Sequence, residues 1–195
     1  MLYDRNLIGR EHSKKMVEDE SESSYRSFII RDAAIEDIDS IAQVAVNAWN
    51  FAYSTFLPPE FMAARADPSK RAHRMRENWR TDVHQIVAVS GDGVVLGFAF
   101  EHRPGSLEGY DAEIGALYVD PNASRSGVGR ALVTEMVRRF RDLGFQSMAI
   151  HTLTENRIGC SFYEKLGGQE GPYTTWNEVP SRWFVWPDLN ISFTE

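Results

Sequence analysis

A single cysteine, Cys160, stands in 195 residues, so neither an intramolecular disulfide nor a multi-cysteine zinc site is available, and nothing asks for an oxidising compartment. Read on its own, Cys160 is a small buried hydrophobe. Long apolar runs are also missing. No segment approaches the roughly 20 residues that a spanning helix needs, and the opening MLYDRNLIGREHSKKMVEDESESSY lacks the apolar centre of a secretory signal. A cytoplasmic protein with no membrane partner is the expectation. Basic residues are in deficit: 21 Lys and Arg face 28 Asp and Glu, a formal net charge of −7. A general nucleic-acid binder shows the opposite balance, so any anionic ligand must be held by local geometry.

What is present is a globular composition, 43% hydrophobic and 25% charged, and a length that suits one domain. Residues 1–25 read as a polar, charged extension and 26–195 as the single folded domain. Ser27–Arg31 suits a strand. From Ile35, apolar positions recur at three- and four-residue spacing through Trp49, Tyr53 and Phe56, an amphipathic helix that Pro58 and Pro59 stop. A second helical region, Glu60 to Arg80 with a break near Asp67-Pro68, is strongly basic and reads as a solvated face. Gln85–Val89 and Val94–Phe100, separated by Gly91-Asp92-Gly93, form a hairpin signal. Tyr110–Val119 is a third sheet strand, followed by a helix over Ala131–Leu143, a strand at Ser147–His151, a helix at Asn156–Leu166, and strand-like runs at Gly171–Trp176 and Arg182–Trp186. An α/β domain follows: a mixed, mostly antiparallel sheet of six to seven strands flanked by about four helices.

The sharpest local feature is Ser124-Arg125-Ser126-Gly127-Val128-Gly129-Arg130. A strand, a short loop of small residues and a helix opening on paired glycines leave main-chain N–H groups free to converge on one anion. Arg125 and Arg130 can add charge-assisted bonds, so a phosphate or pyrophosphate is the expected ligand. A Walker loop is excluded, because Gly129 is followed by Arg130-Ala131 rather than Lys-Ser/Thr. A dinucleotide fingerprint is excluded too, because Leu132 stands where a third glycine or alanine belongs.

Ala112–Leu132 resembles the acetyl-CoA motif of the GNAT N-acetyltransferase superfamily, whose loop reads Gln/Arg-x-x-Gly-x-Gly/Ala. Asn156–Gly168 (NRIGCSFYEKLGG) is similar to the motif that follows it there, in the same order and spacing. One position departs: Ser124 stands where Gln or Arg is usual, with Arg125 next to it. The resemblance covers about residues 27–188. It implies the acyl-CoA N-acyltransferase fold, with a sheet splayed into a V, acetyl-CoA as cosubstrate and no metal. Pantetheine would lie along main-chain groups of Leu117, Tyr118 and Val119, with Ser124 to Arg130 holding the pyrophosphate.

By the same resemblance Glu113 is the leading general base. Strict alternation along the strand would aim its side chain to the same face as Leu117 and Val119. His151, closing the neighbouring strand, is the competing base. Tyr163 is the general-acid candidate, facing the departing thiolate. Asn156 either caps its helix or bonds the pantetheine amide. Trp49 and Tyr53 fall where the resemblance puts the acceptor. The expected activity is acetyl transfer to a primary amine of a small molecule, which the acidic balance biases toward cationic amines. Acetylation of a protein or peptide N-terminus, or acyl-CoA sensing without catalysis, are the alternatives. The resemblance also allows a homodimer.

Overall fold

Seven strands and five α-helices alternate along residues 27–190, the part of the chain that the computed structural model describes. The extension expected at 1–25 lies outside the described residues, as do 191–195. The order is β1 (Phe28–Asp32), a 3-10 turn (Ile35–Asp37) leading into α1 (Ile38–Tyr53), α2 (Pro59–Ala63), α3 (Pro68–Glu77), β2 (Gln85–Ser90), β3 (Val95–Glu101), β4 (Ala112–Val119), a 3-10 turn (Pro121–Ala123), α4 (Val128–Asp142), β5 (Met148–Leu153), α5 (Arg157–Lys165), β6 (Gln169–Trp176) and β7 (Val179–Trp186). The basic region divides into two helices because Asp67 accepts bonds from the Ser69 and Lys70 amides, 2.9 and 3.1 Å, and so starts α3 at Pro68; an N-cap aspartate followed by proline is a strong start signal. This raises the helix count from about four to five.

All the strands lie in one sheet, ordered β1-β2-β3-β4-β5-β7-β6. Every neighbouring pair is antiparallel except β4 and β5. One face is covered by α4, whose Val128, Leu132, Val133, Met136 and Phe140 are all fully buried, and by Cys160 and Tyr163 of α5. Burial of each large apolar side chain in this layer contributes about 1.5–3 kcal/mol. The other face carries Ile41, Val44 and Ala45 of α1 against Val87, Val89 and Phe98, and α3 packs on α1 through Ala72.

The β4–β5 pairing is short. Ala112, Glu113 and Ile114 pair with Met148, Ala149 and Ile150, and there it stops. From Gly115 onward β4 keeps only its β3 partner, while β5 continues to Leu153 against β7. The two central strands therefore part into a V, as the resemblance implied.

The break coincides with a β-bulge. Phe100 pairs with Ala116 but Glu101 pairs with Ile114, so Gly115 is an extra residue on β4. A Cβ there would sit 2.6 Å from Cβ of His102, so only glycine fits. An inserted residue inverts the alternation of side chains across it. This corrects one expectation: Glu113 does not share a face with Leu117 and Val119. Those two pack on the α4 side, whereas Glu113 lies on the α1 side with Ala116 and Tyr118, which pack there.

Candidate active site

The slot opened by the split has a main-chain edge and two differently furnished faces. In an antiparallel pair only alternate residues bond across the ladder. The Asp120 amide donates to the Leu96 carbonyl at 2.8 Å, and with the β3–β4 register this turns the main-chain groups of Tyr118 toward β3. Those of Leu117 and Val119 then face the slot.

Below this edge, Asp120 accepts from the Asn122 amide at 3.0 Å and from Asn47 Nδ2 at 2.8 Å, fixing the exit of β4 against α1. The loop then turns through Arg125 at φ 63° and Gly127 at φ 90°. Gly127 is the N-cap of α4 and brings no capping side chain, so the first-turn amides of Val128 and Gly129, which have no intrahelical acceptor, are left to a ligand. Ser126 Oγ donates to the Ala123 carbonyl at 2.6 Å. Ser124 and Arg125 are exposed, and Arg130 is half-buried. The second glycine serves packing: a Cβ on Gly129 would lie 3.2 Å from Cζ of Phe162 and 3.6 Å from Val119. It lets the N-terminus of α4 close on β4 and α5 together.

On the α4–α5 side, Tyr163 is buried, with its ring against Phe162, Phe184 and Trp186. Burial pushes its phenol well above the ordinary tyrosine range, with Tyr118 and Cys160 adding to the effect, so it holds its proton at neutral pH. Asn156 is the N-cap of α5: its Oδ1 accepts from the Gly159 amide at 3.1 Å, and its Nδ2 donates to Thr152 Oγ1 at 3.1 Å and the Tyr53 hydroxyl at 3.3 Å. It caps its helix, one of the two roles expected of it. The bond from Tyr53 of α1 to Asn156 passes between the separated strands and joins the two sides of the sheet.

On the α1 side, Glu113 is buried and its Oε2 accepts from the Ser106 amide at 2.6 Å. His151 sits nearby, 4.7 Å from the Trp183 ring, with Nε2 buried and without a hydrogen-bond partner. Burial lowers its pKa and the Glu113 carboxylate partly opposes this, so the imidazole is neutral at pH 7. The rings of Trp49 and Tyr53 meet at 4.3 Å, tilted by 53°, and form a cluster with Leu57, Leu153, Tyr118 and Trp176. Burial raises the phenols of both Tyr53 and Tyr118. Among the described residues no group of three or more His, Cys, Asp and Glu side chains could hold a metal ion, and no helix is long and apolar enough to cross a membrane.

Two residues here escape a sequence reading that takes the whole basic helix as solvated. Arg65 lies over the rings of Trp176 and Trp49, 4.6 and 5.1 Å from their centroids, and Arg71 over Tyr118 at 5.7 Å. The available signal was the mixture of arginines without matching acids at 65–74.

The family model described as "Acetyltransferase (GNAT) family" matches residues 49–168. The chain is 32% identical to the N-acetyltransferase YuaI of Bacillus subtilis over 130 residues, 65% of this chain and 72% of that protein. It is 32% identical to a mycothiol acetyltransferase of Pseudarthrobacter chlorophenolicus over 142 residues, which are 71% of this chain but 40% of that longer protein. Its fold matches that of the PaiA N-acetyltransferase of Thermoplasma acidophilum, solved in complex with coenzyme A. That match has a TM-score of 0.63 and 21% identity, over 80% of this chain and 98% of that one.

Proposed function

Because the chain belongs to the GNAT acetyltransferase family, we propose that it moves an acetyl group from acetyl-CoA to a primary amine of a small molecule by direct attack. One observation carries this reading: beyond Ile114 the β4–β5 split leaves β4 with an open main-chain edge that leads to the uncapped N-terminus of α4. The residues fit the cosubstrate. Amides at the start of α4 suit a pyrophosphate, and the edge at Leu117 and Val119 suits an extended pantetheine arm, which would add to β4 as a strand does. A main-chain N–H on that edge can also receive the charge that develops on the thioester oxygen.

The chain must then manage two protons. The acceptor amine is protonated at neutral pH and must lose one before it attacks. Glu113, which the bulge at Gly115 turns to the α1 face of β4, and His151 of the neighbouring strand β5 are the candidates for this step. Tyr163, held neutral by burial, gives its proton to the leaving sulfur, and the second proton that the nitrogen sheds as the amide forms restores the phenol. That the acceptor is a small molecule is supported by the relative named as a mycothiol acetyltransferase.

Calorimetry with acetyl-CoA, followed by a CoA-release assay on amines and on peptides with free N-termini, tests the reading. Turnover with small amines is the expected result. Turnover with peptides alone moves the acceptor to protein N-termini, tight binding without turnover makes the chain a sensor, and absence of binding at millimolar acetyl-CoA removes the reading.

A further inference from the structure

Building on that acetyl-transfer reading, we propose that the amine accepted here also carries an anionic group, a carboxylate or a phosphate, which seats on Arg65 and Arg71. Around Trp49, Trp176 and Tyr118, on the α1 side of the slot, two guanidinia meet aromatic rings. The Arg65 guanidinium lies over both Trp49 and Trp176, whose rings touch edge to face, and its own hydrogen bond is a long one, 3.4 Å from Nη1 to the Phe61 carbonyl. Arg71 stands over Tyr118, in the same aromatic cluster. Among the described residues neither arginine has a carboxylate within ion-pair distance. Their neighbours in the same basic region do: Arg76 reaches Asp39 at 2.6 Å, Arg80 reaches Asp82 at 2.5 Å and Lys70 reaches Asp67 at 3.8 Å. Arg65 and Arg71 are set apart from the exposed arginines of this region by lying half-buried against aromatic rings without a carboxylate partner among the described residues. Asp120, at the end of β4, is held by Asn47 and the Asn122 amide.

A second observation, independent of the charges, points the same way. Nε1 of Trp49 is buried and has no hydrogen-bond partner. An indole N–H can only donate, and a buried donor without an acceptor is costly. Two planar guanidinia and an unpartnered indole N–H in one aromatic cluster suit an acceptor-rich, charged group, and carboxylate and phosphate oxygens match the guanidinium fork. The aromatic walls strengthen this by excluding water around the charge. The chain's −7 charge biases encounter toward cationic ligands, but it acts at long range through salt, whereas these groups act in contact.

The test uses matched acceptors with acetyl-CoA and the full chain: phenylalanine against phenylalaninamide, phosphoethanolamine against ethanolamine, and spermidine as the polycation. The carboxylate or phosphate member should exceed its neutral partner at least about tenfold in kcat/KM, and which pair shows the gap separates the two anions. Arg71→Gln and Arg65→Gln should each lower kcat/KM for that member by about 10- to 100-fold, the range of a lost charged hydrogen bond. The neutral partner's kcat/KM should fall by much less, under about threefold, and the acetyl-CoA Kd should stay at the wild-type value. Arg71→Glu, at a half-buried position where refolding is less at risk, should shift preference toward spermidine. The proposal is overturned if neutral amines or spermidine are acetylated as well as the anionic ones, or if no anionic amine raises the melting temperature of the acetyl-CoA-loaded protein. Failure of the wild type to bind acetyl-CoA takes the parent reading down with it, and so is told apart from failure of the anion site alone.

Discussion

Gly97→Ala tests how closely α4, the helix proposed to hold the cosubstrate pyrophosphate, must approach the sheet. Gly97 lies in β3 opposite Val119, beneath the first turns of α4. A methyl group there would meet the Tyr118 carbonyl at 2.8 Å, Val128 Cγ1 at 3.0 Å and Leu132 Cδ1 at 3.2 Å. The first of these is backbone and cannot rotate away; the other two belong to fully buried side chains. Relief requires α4 to lift or the slot edge of β4 to move by some tenths of an ångström. Overpacking of this kind costs about 1–3 kcal/mol, and in a domain of this size each kcal/mol lowers Tm by roughly 2–4 °C, so a drop of roughly 2–12 °C is expected by calorimetry. Because Val128 and Tyr118 flank the proposed cosubstrate path, acetyl-CoA affinity should fall as well, by about tenfold or more. Gly91→Ala is the control, since a Cβ there meets nothing within 4 Å. If Gly97→Ala melts with the wild type and binds acetyl-CoA unchanged, the neighbours absorb the methyl and the close-approach reasoning is wrong.

Tyr163→Phe should lower kcat by about 10²–10⁴-fold, the range of a general acid, with acetyl-CoA Kd held by calorimetry; full kcat would remove the proton-donor role. Gly115→Ala sets a Cβ 2.6 Å from Cβ of His102, so the bulge must shift, and both Tm and kcat should fall; a variant with wild-type kcat would show that the aim of Glu113 is immaterial. Burial lowers the imidazole pKa of His84 and of His151, so the unfolded chain takes up these protons more readily than the folded one. Stability is then complete above the unfolded value near 6.5 and declines as pH falls toward the folded values, by at most about 1.4 kcal/mol per pH unit for each histidine. Urea unfolding at pH 7.5, 6.5 and 5.5 should show this decline, shallower in His151→Gln; stability that rises on acidification contradicts it.

The parts of the fold legible in sequence are those written in local chemistry. Pro58 and Pro59 end α1, the Asp67-Pro68 cap starts α3, Gly91-Asp92-Gly93 turns the hairpin, and the stripe Val128, Leu132, Met136, Phe140 declares the buried face of α4. The glycine pair at 127 and 129 was equally legible, although the two do different work: one turns the chain at positive φ, the other lets two helices and a strand meet. What stayed hidden depends on tertiary partners. Arg65 and Arg71 share a basic stretch with Arg76 and Arg80, and no pattern along the chain separates those that meet Asp39 and Asp82 from those that meet tryptophan and tyrosine rings.

The bulge was hidden for a related reason. Gly115 looks like an ordinary glycine inside an apolar strand, and alternation carried past it puts Glu113 on the wrong face. Its effect appears only in the pairing: β4 has one residue more than β3 between the same two rungs, and pairing with β5 ends one residue earlier, at Ile114. A bulge bends its strand and strengthens local twist, so the residue that turns Glu113 toward the α1 side is also where β4 leaves β5. The two halves of the proposed site are thereby coupled. Before the bulge, β4 is bound on both sides and aims a carboxylate at the acceptor face; beyond it, the same strand has a free edge for an extended ligand while its side chains pack into helices on both faces. One inserted glycine accounts for both, which is why a substitution at 115 should disturb acceptor chemistry and cosubstrate binding together, while Arg71 variants should disturb the acceptor alone.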